Sequence, residues 1–491
     1  MKSLMKQNKL NRHAIALTVT AVVLSLSACA VGPDYARPNL SLPDTYGVAE
    51  QGVASDPNIA DTNPTSQSVP DNWWTLYQDV MLNSLIDTAQ VHNQDVAQAV
   101  ARIEEADAAL REVGAAFLPQ IDLGASGNRS RISTVSNTPV LAGSSPVRNT
   151  FQLGLSTTFE LDFWGKIRRT QEDYRARALG TRYARDVTLL TLSGLVAQSY
   201  FNVRSLDSQL QISQQSLAVR DESLQLAQTR SRAGLASDLD LRQAESARAD
   251  TAATIKDLQR QRQLAEHQLA LLTGQPGLRV APLHVADLPV PPIVPTGLPS
   301  ALISQRPDVA QAEQALASAN AQIGVSKAAQ LPTFSLTGNY GGQSRDLSDL
   351  LTAPGRIWSF GLGATLPILD AGRYSARTQQ AEARQKQALV AYQKSLESAF
   401  KEVADALSNR NQYQLADTDL QLRTTSAKEV LRLAQLRYKA GYSAYLEVLD
   451  AQRTANDAEL ALVRNRTATL QSSVDLMRAL GGGWQQASSQ H

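Results

Sequence analysis

Cys29 is the only cysteine in a chain of 491 residues, and it follows Leu26-Ser27-Ala28 at the end of an apolar run. A lone thiol forms no internal disulfide. Set directly after small residues at a cleavage position, it has the context of a bacterial lipobox, in which the cysteine is lipidated and becomes the new N-terminus. Acyl chains contribute roughly 0.8 kcal/mol per buried CH₂, so several hold a chain firmly at a membrane. Ala30 follows where an aspartate would read as inner-membrane retention, which favours the outer membrane. No other reactive grouping stands out. His13, His92, His267, His284 and His491 are scattered, with no HExxH or Cys/His cluster and no Walker A sequence. Residues 361–372, GLGATLPILDAG, have glycines enough for a phosphate loop but alternate like a strand. Arg168, Arg169, Arg175, Arg177, Arg182 and Arg185 form a basic run that reads as a solvated helix face in preference to one facing lipid headgroups or phosphates. Nothing supports catalysis, a metal or a cofactor. The formal net charge of +1 gives no case for nucleic acid or an acidic substrate.

The residues most in need of an explanation are in Phe151–Phe163, FQLGLSTTFELDF. Odd positions carry Phe, Leu, Leu, Thr, Phe, Leu and Phe, whereas even positions carry Gln, Gly, Ser, Thr, Glu and Asp. A strand sends alternate side chains to opposite faces, so one face is apolar and the other polar. Three further segments alternate likewise, starting at Ile121, Phe334 and Trp358, the last running to Ile368 with Pro367 marking its end or a bulge. They pair as hairpins around turn-rich links at 128–149 and 341–355. Strands that cross a bilayer need about 9–11 residues. Four are too few to close a barrel, which starts at about eight, and an open edge in lipid is prohibitive. Membrane-crossing strands here therefore require several chains to share one barrel.

Residues 1–28 form a lipoprotein signal, with Lys2, Lys6, Lys9, Arg12 and His13 before the apolar run Ala14–Leu26. Residues 29–79 are a lipidated tether rich in Pro, Asp, Asn, Ser and Thr, which Trp73 and Trp74 dock onto the body. From Lys166 to Arg230 there is no proline, and 65 continuous helical residues would rise about 98 Å. A heptad seam runs through Val203, Leu206, Leu210, Ser213, Leu217, Arg220, Leu224 and Ala227. The order then repeats. Gly154 aligns with Gly361 (361 − 154 = 207), and AQTRSRAG at 227–234 aligns with AQLRYKAG at 434–441 at the same offset. The first repeat spans 80–274: helix at 80–116, hairpin at about 119–164, long helix 166–230, tip turn, helix 238–273. A proline-rich connector covers 275–302. The second repeat spans 303–480: helix, hairpin at about 332–369, long helix 373–437, tip turn, helix 445–480. Residues 481–491 are a tail. The fold class is α+β, a membrane protein whose long helices project on the order of 100 Å from a shared barrel.

Several stretches together resemble the outer-membrane channel lipoproteins of tripartite efflux systems, the OprM/NodT branch of the TolC-like family. They are the lipobox with Val31-Gly32-Pro33-Asp34-Tyr35, FELDFWG at 159–165, QRPDV at 305–309, LPILDAG at 366–372, FKEVADAL at 400–407, YLEVLDAQ at 445–452 and LGGGW at 480–484. The resemblance covers nearly the whole mature chain. It implies a homotrimer, with twelve strands pooled from three chains over a periplasmic helical barrel. It also implies a periplasmic membrane-fusion adaptor and an inner-membrane RND-type pump as partners, with drugs or other toxic small molecules as cargo. In that family the channel closes at the periplasmic helix tips, where the matching positions are Leu446 and Asp450. They are four apart and share a helix face, and three-fold symmetry would make each a ring. Their first-half counterparts are Leu239 and Gln243, so the acidic position is not duplicated. Arg232, Ala233, Gly234, Lys439, Ala440 and Gly441 would be the adaptor-docking tips.

Two rivals stand beside this reading. One is the duct of a protein-secretion system, against which the lipobox and LGGGW weigh. The other is a periplasmic coiled-coil lipoprotein without a pore, which has no need of four amphipathic strands. Four methionines and five scattered histidines give no positive case for metal-ion cargo.

Overall fold

The computed structural model describes residues 30–39, 43, 69–133, 145–235, 237–282, 289, 291–292 and 306–484. Cys29, the signal, most of the tether, part of the connector and the tail beyond Trp484 lie outside the described residues. Seven α-helices and four strands organise the described part: α1 Val80–His92, α2 Gln94–Gly114, β1 Gln120–Arg131, β2 Val147–Leu161, α3 Lys166–Arg232, α4 Asp238–Leu272, α5 Pro307–Ala328, β3 Thr333–Ser344, β4 Arg356–Thr365, α6 Arg373–Lys439 and α7 Tyr445–Ala479. The repeat is carried to the residue in the helices. α3 and α6 are both 67 residues long, α4 and α7 are both 35, and 373 − 166 and 445 − 238 are both 207.

The chain divides into two compact units, one formed by residues 1–38, 103–180 and 312–392 and the other by 39–102, 181–311 and 393–491. The first holds the sheet, antiparallel throughout in the order β1-β2-β3-β4. Its register keeps apolar residues in line. Leu123 pairs with Leu155, Leu155 with Tyr340, and Tyr340 with Trp358. On the same face Trp358 is 76% exposed, Phe360 74% and Leu123 70%. Fully burying one such side chain is worth about 1.5–3 kcal/mol, so a contiguous row left open needs an apolar surrounding. The strands extend beyond the alternating segments, with β1 reaching Arg131, β2 starting at Val147 and β3 ending at Ser344. β4 stops at Thr365, so Leu366 and Ile368 fall outside it, and Pro367, which has no N–H to donate, follows its end.

Asp162 ends the first hairpin and caps α3, its carboxylate accepting from the backbone N–H of Ile167 and Arg168, both at 3.0 Å. Asp370 does the same for α6 through Gly372 and Tyr374. The basic run largely forms the solvated helix face expected, with Arg175, Arg177 and Arg182 exposed, and Arg169 is the exception. Arg169 is buried, reaching Asp34 at 2.6 Å and Glu172 at 2.7 Å, while Arg177 pairs with Asp173 at 2.8 Å. Arg169 also donates to the Gly32 carbonyl at 3.4 Å, and the segment just after Cys29 is held further by Val31 N–H donating to the Trp164 carbonyl at 3.0 Å and Asn320 donating to the Pro33 carbonyl at 2.9 Å. Gly324 makes room for that segment, since a Cβ there would come within 2.8 Å of both Arg169 Cγ and the Val31 carbonyl.

The second unit carries the main apolar core. Trp73, Tyr77, Leu82 and Ile86 pack with Val196, Phe201, Leu269, Leu470 and Met477. Trp73 and Trp74 meet edge to face at 5.9 Å, so both dock the chain N-terminal to α1 as the sequence suggests. The helix expected over 80–116 is instead α1, α2 and a 3-10 turn at Ala115–Phe117. Asn93 causes the break: its Oδ1 accepts from Asp95 and Val96 N–H, while its Nδ2 donates to the Leu272 carbonyl at 2.9 Å. The LGGGW motif closes the chain against this core. Gly482 has φ +58, and a Cβ there would lie 2.3 Å from Leu190 Cδ1. The Trp484 indole donates to Asp186 at 2.9 Å and stands edge-on to Tyr183.

The heptad seam is buried at Val203, Leu206, Ser213, Arg220 and Ala227. Beside it lies an ion cluster that the seam conceals. Arg262 reaches Asp207 at 2.5 Å and Glu266 at 3.0 Å, Arg204 lies 3.5 Å from Asp207, and Glu266 accepts from the Val280 N–H at 2.9 Å. Removing one member strands the others in a dry site, which typically costs about 3–5 kcal/mol. Asp207→Ala is therefore expected to lower the unfolding midpoint of the purified protein sharply, while Asp257→Ala, at an exposed pair with Arg260, leaves it unchanged.

Candidate gate at the helix tips

α3 ends in Arg232 and α6 in Lys439, each followed by a glycine at positive φ, Gly234 at +72 and Gly441 at +83. In each turn the residue after the glycine bonds back six residues' worth of chain: Leu235 N–H to Arg230 O at 2.8 Å, and Tyr442 N–H to Arg437 O at 2.9 Å. These are glycine-terminated helix ends, and only a residue without Cβ adopts them freely. Arg232, Ala233, Gly234, Lys439, Ala440 and Gly441 are all exposed there.

The two turns then diverge. Ser237 caps α4, its hydroxyl accepting from the Asp240 N–H at 3.3 Å, and Asp238 and Asp240 occupy the first turn. The equivalent residue before α7 is Ala444, which supplies no side-chain cap. α7 is held instead by packing. Tyr445, Val448 and Ala451 are buried with Ala227, Ala244, Ala434 and Tyr438, and small alanines let the helices approach closely. Burial raises the Tyr445 phenol above its ordinary value and lowers the Arg220 guanidinium nearby. Arg220 donates to the Ala247 carbonyl at 2.5 Å.

Leu446 and Asp450 lie away from that packed stripe. Leu446 is 58% exposed, and Asp450 forms an exposed ion pair with Arg453 at 2.9 Å. The structure thus brings Leu446, Asp450 and Arg453 onto one open flank of α7. Arg453 was not singled out in the sequence; its first-repeat counterpart is Ser246, so the charge pair belongs to the second repeat alone.

A second missed residue is Arg230, one turn before the first tip. Its guanidinium donates to the Tyr438 carbonyl at 3.0 Å and the Lys439 carbonyl at 3.1 Å, and lies 4.5 Å over the Tyr438 ring. Those carbonyls belong to the last turn of α6, where Tyr438 O also accepts from the Gly441 N–H at 3.0 Å and the helix dipole favours a cation. Arg230 therefore ties the first tip to the second. Its repeat counterpart, Arg437, pairs with Glu447 at 3.3 Å on its own side of the turn. A basic residue repeated at the same step before each Gly turn was the available signal. Gln452, donating to Ser223 at 2.9 Å, adds a tie between α7 and α3.

Among the described residues no group of three or more His, Cys, Asp or Glu could hold a metal ion. No described helix is long and apolar enough to cross a membrane. The sheet, by contrast, exposes a row of large apolar side chains on one face.

Comparison with known proteins agrees with this architecture. The family model described as outer membrane efflux protein matches residues 85–275 and 298–482. The chain is 35% identical over 466 residues to the cation efflux system protein CusC of Escherichia coli, covering 95% of this chain and 98% of CusC. It is 33% identical over 492 residues to the outer membrane protein OprJ of Pseudomonas aeruginosa, covering 98% of each. The solved outer-membrane channel OprN superposes with a TM-score of 0.84 at 29% identity, covering 93% of this chain and all of that one.

Proposed function

The chain belongs to the outer membrane efflux protein family, an outer-membrane efflux duct rather than an enzyme, and we propose that three copies pool their sheets into one twelve-stranded barrel whose water-filled interior is continued by the periplasmic helices. The observation that carries the proposal is the sheet itself. It has one apolar face, a polar opposite face, and two edges, β1 and β4, that no other described strand covers. In hydrocarbon each unpaired backbone group costs several kcal/mol, so two open edges of 10–12 residues are untenable. Pairing β1 of one copy with β4 of the next removes both edges at once.

Cys29, lipidated, anchors each chain at the membrane, and residues 30–34, clamped by Arg169, fix where that anchor emerges. The tips Arg232–Gly234 and Lys439–Gly441 dock a periplasmic adaptor, which links the duct to an inner-membrane RND-type pump that supplies the energy. Leu446 and Asp450 form apolar and acidic rings that close the periplasmic mouth, the first by dewetting and the second by charge. Opening moves the α6–α7 pair away from Arg230. The uncapped start of α7 and its alanine-lined packing favour that pair as the moving part.

Drugs and other toxic small molecules suit a duct with no selective site of its own. CusC is named for cation efflux and OprJ simply as an outer membrane protein, so cargo does not follow from membership. Purified protein reconstituted in planar bilayers is expected to give discrete conductance steps from trimers. Intact trimers that give none would remove the duct.

A further inference from the structure

We infer that each chain carries a binding site for a phosphorylated glycolipid of the outer leaflet, of the lipid A type, in which Arg356 holds a phosphate and two hollows on the apolar face take acyl chains. The inference rests on the barrel reading above.

Parity fixes the face. Arg356 opens β4 and pairs with Gly342, which pairs with Leu153, so it shares its side of the sheet with Trp358, Phe360 and Leu362. The hairpin ends lie opposite to the helices along the strands, hence at the outer leaflet. The link from β3 to β4 folds back over this same face. Leu350 is buried, and its carbonyl comes so close to Gly342 that a Cβ there would be 1.9 Å away. Between link and sheet is a hollow of about 290 Å³ walled by Leu123, Leu153, Leu155, Tyr340 and Leu350, with Arg356 in its lining. A second hollow of about 430 Å³ shares Leu155 and Tyr340 with it and continues toward Ile121, Gly338 and Trp358. The two make one apolar track running from the arginine into the depth of the bilayer.

Charge selects the occupant. Among the described residues the Arg356 guanidinium has no hydrogen-bond or ion-pair partner, and neither have Arg129 and Arg131, which fall on the same face near the outer end of β1. Residues 123–159 contain no Asp or Glu at all. Asp346 and Asp349 stand in the link, but neither pairs with Arg356, and a guanidinium left unpaired above a track for hydrocarbon fits a lipid whose head bears phosphate, since planar bidentate donors match phosphate oxygens. The main phosphate-rich lipid of that leaflet is lipid A, and it brings several acyl chains to fill the track.

The test uses full-length trimers purified in detergent and stripped of lipid, titrated with diphosphoryl lipid A, dephosphorylated lipid A, phosphatidylethanolamine and inorganic phosphate, and read by native mass spectrometry. Diphosphoryl lipid A should bind, with Arg356→Ala weakening it at least tenfold and Arg356→Lys less. Equal binding of the dephosphorylated form, equal binding by Arg356→Ala, or preference for phosphatidylethanolamine would each overturn the inference, as would saturation by inorganic phosphate alone at the same site. Conductance of Arg356→Ala trimers keeps the two readings apart. Normal channels without lipid A selectivity sink only the lipid site, whereas absent channels in the unsubstituted protein sink the barrel.

Discussion

Replacing Leu446 and Asp450 together by alanine is expected to raise the conductance of reconstituted trimers several-fold and to shift their ion preference from cations toward anions. The two side chains stand on an open flank of α7, clear of the Tyr445–Val448–Ala451 stripe that holds the helix. Their loss therefore widens the mouth without emptying the core. The stability cost is small, because an exposed pair such as Asp450 with Arg453 contributes about 0.2–1 kcal/mol. The charge consequence is larger. Deleting the acid removes the negative ring and leaves the three Arg453 guanidinium groups beside it unpaired, so the reversal potential in a salt gradient should move from the cation toward the anion side. Arg230→Ala should open the same mouth by a different route. It removes two charge-assisted bonds to the end of α6 and the contact with the Tyr438 ring, and the loss recurs in each copy. An equilibrium poised within a few kcal/mol then shifts by orders of magnitude in population. Intact trimers with unaltered conductance in both variants would mean that the closure lies elsewhere on the helices.

The strands and the repeat were legible because both are patterns of period or offset. Alternation in FQLGLSTTFELDF needs no partner to be read, and the 207-residue step reappears in the bounds of α3 and α6. What failed were features decided by contacts far along the chain. Nothing local marks Asn93 as a helix break, since one of its bonds goes to Leu272. Arg169 looks like its neighbours in a basic run, yet it is buried and pairs with Asp34, 135 residues earlier. Arg204, Asp207 and Arg262 read as surface charges on a long polar helix pair until packing encloses them. The strand ends were misplaced for another reason. Beyond the apolar rows the hairpin continues as a hydrogen-bonded ribbon, with Arg131 opposite Val147, where side-chain alternation carries no information. At the tips the glycine turns announced themselves, but Arg230 bridges to a residue 208 positions away, and only the fold brings the two together.

Leu155→Lys should abolish insertion of the protein into the outer membrane, and Ser156→Lys, one residue along, should leave insertion intact. Leu155 sits between Leu123 and Tyr340 in the apolar row, whereas Ser156 sits between Asp122 and Asn339 on the polar face. A lysine facing lipid near the bilayer midplane costs about 2–4 kcal/mol per chain. Three copies inserting as one barrel multiply that to roughly 6–12 kcal/mol, comparable to the whole stability of an ordinary domain. On the polar face the same ammonium meets water, and its effect is a ring of positive charge that lowers cation permeability without loss of trimers. Heat-stable trimers in outer-membrane fractions, followed by bilayer recordings, read both halves of the prediction. A coiled-coil lipoprotein without a pore would tolerate both substitutions or neither, because nothing in it would distinguish the two faces of one strand. The contrast between adjacent residues therefore tests the assignment of lipid and water sides directly, and it is insensitive to how the channel is gated or what it carries.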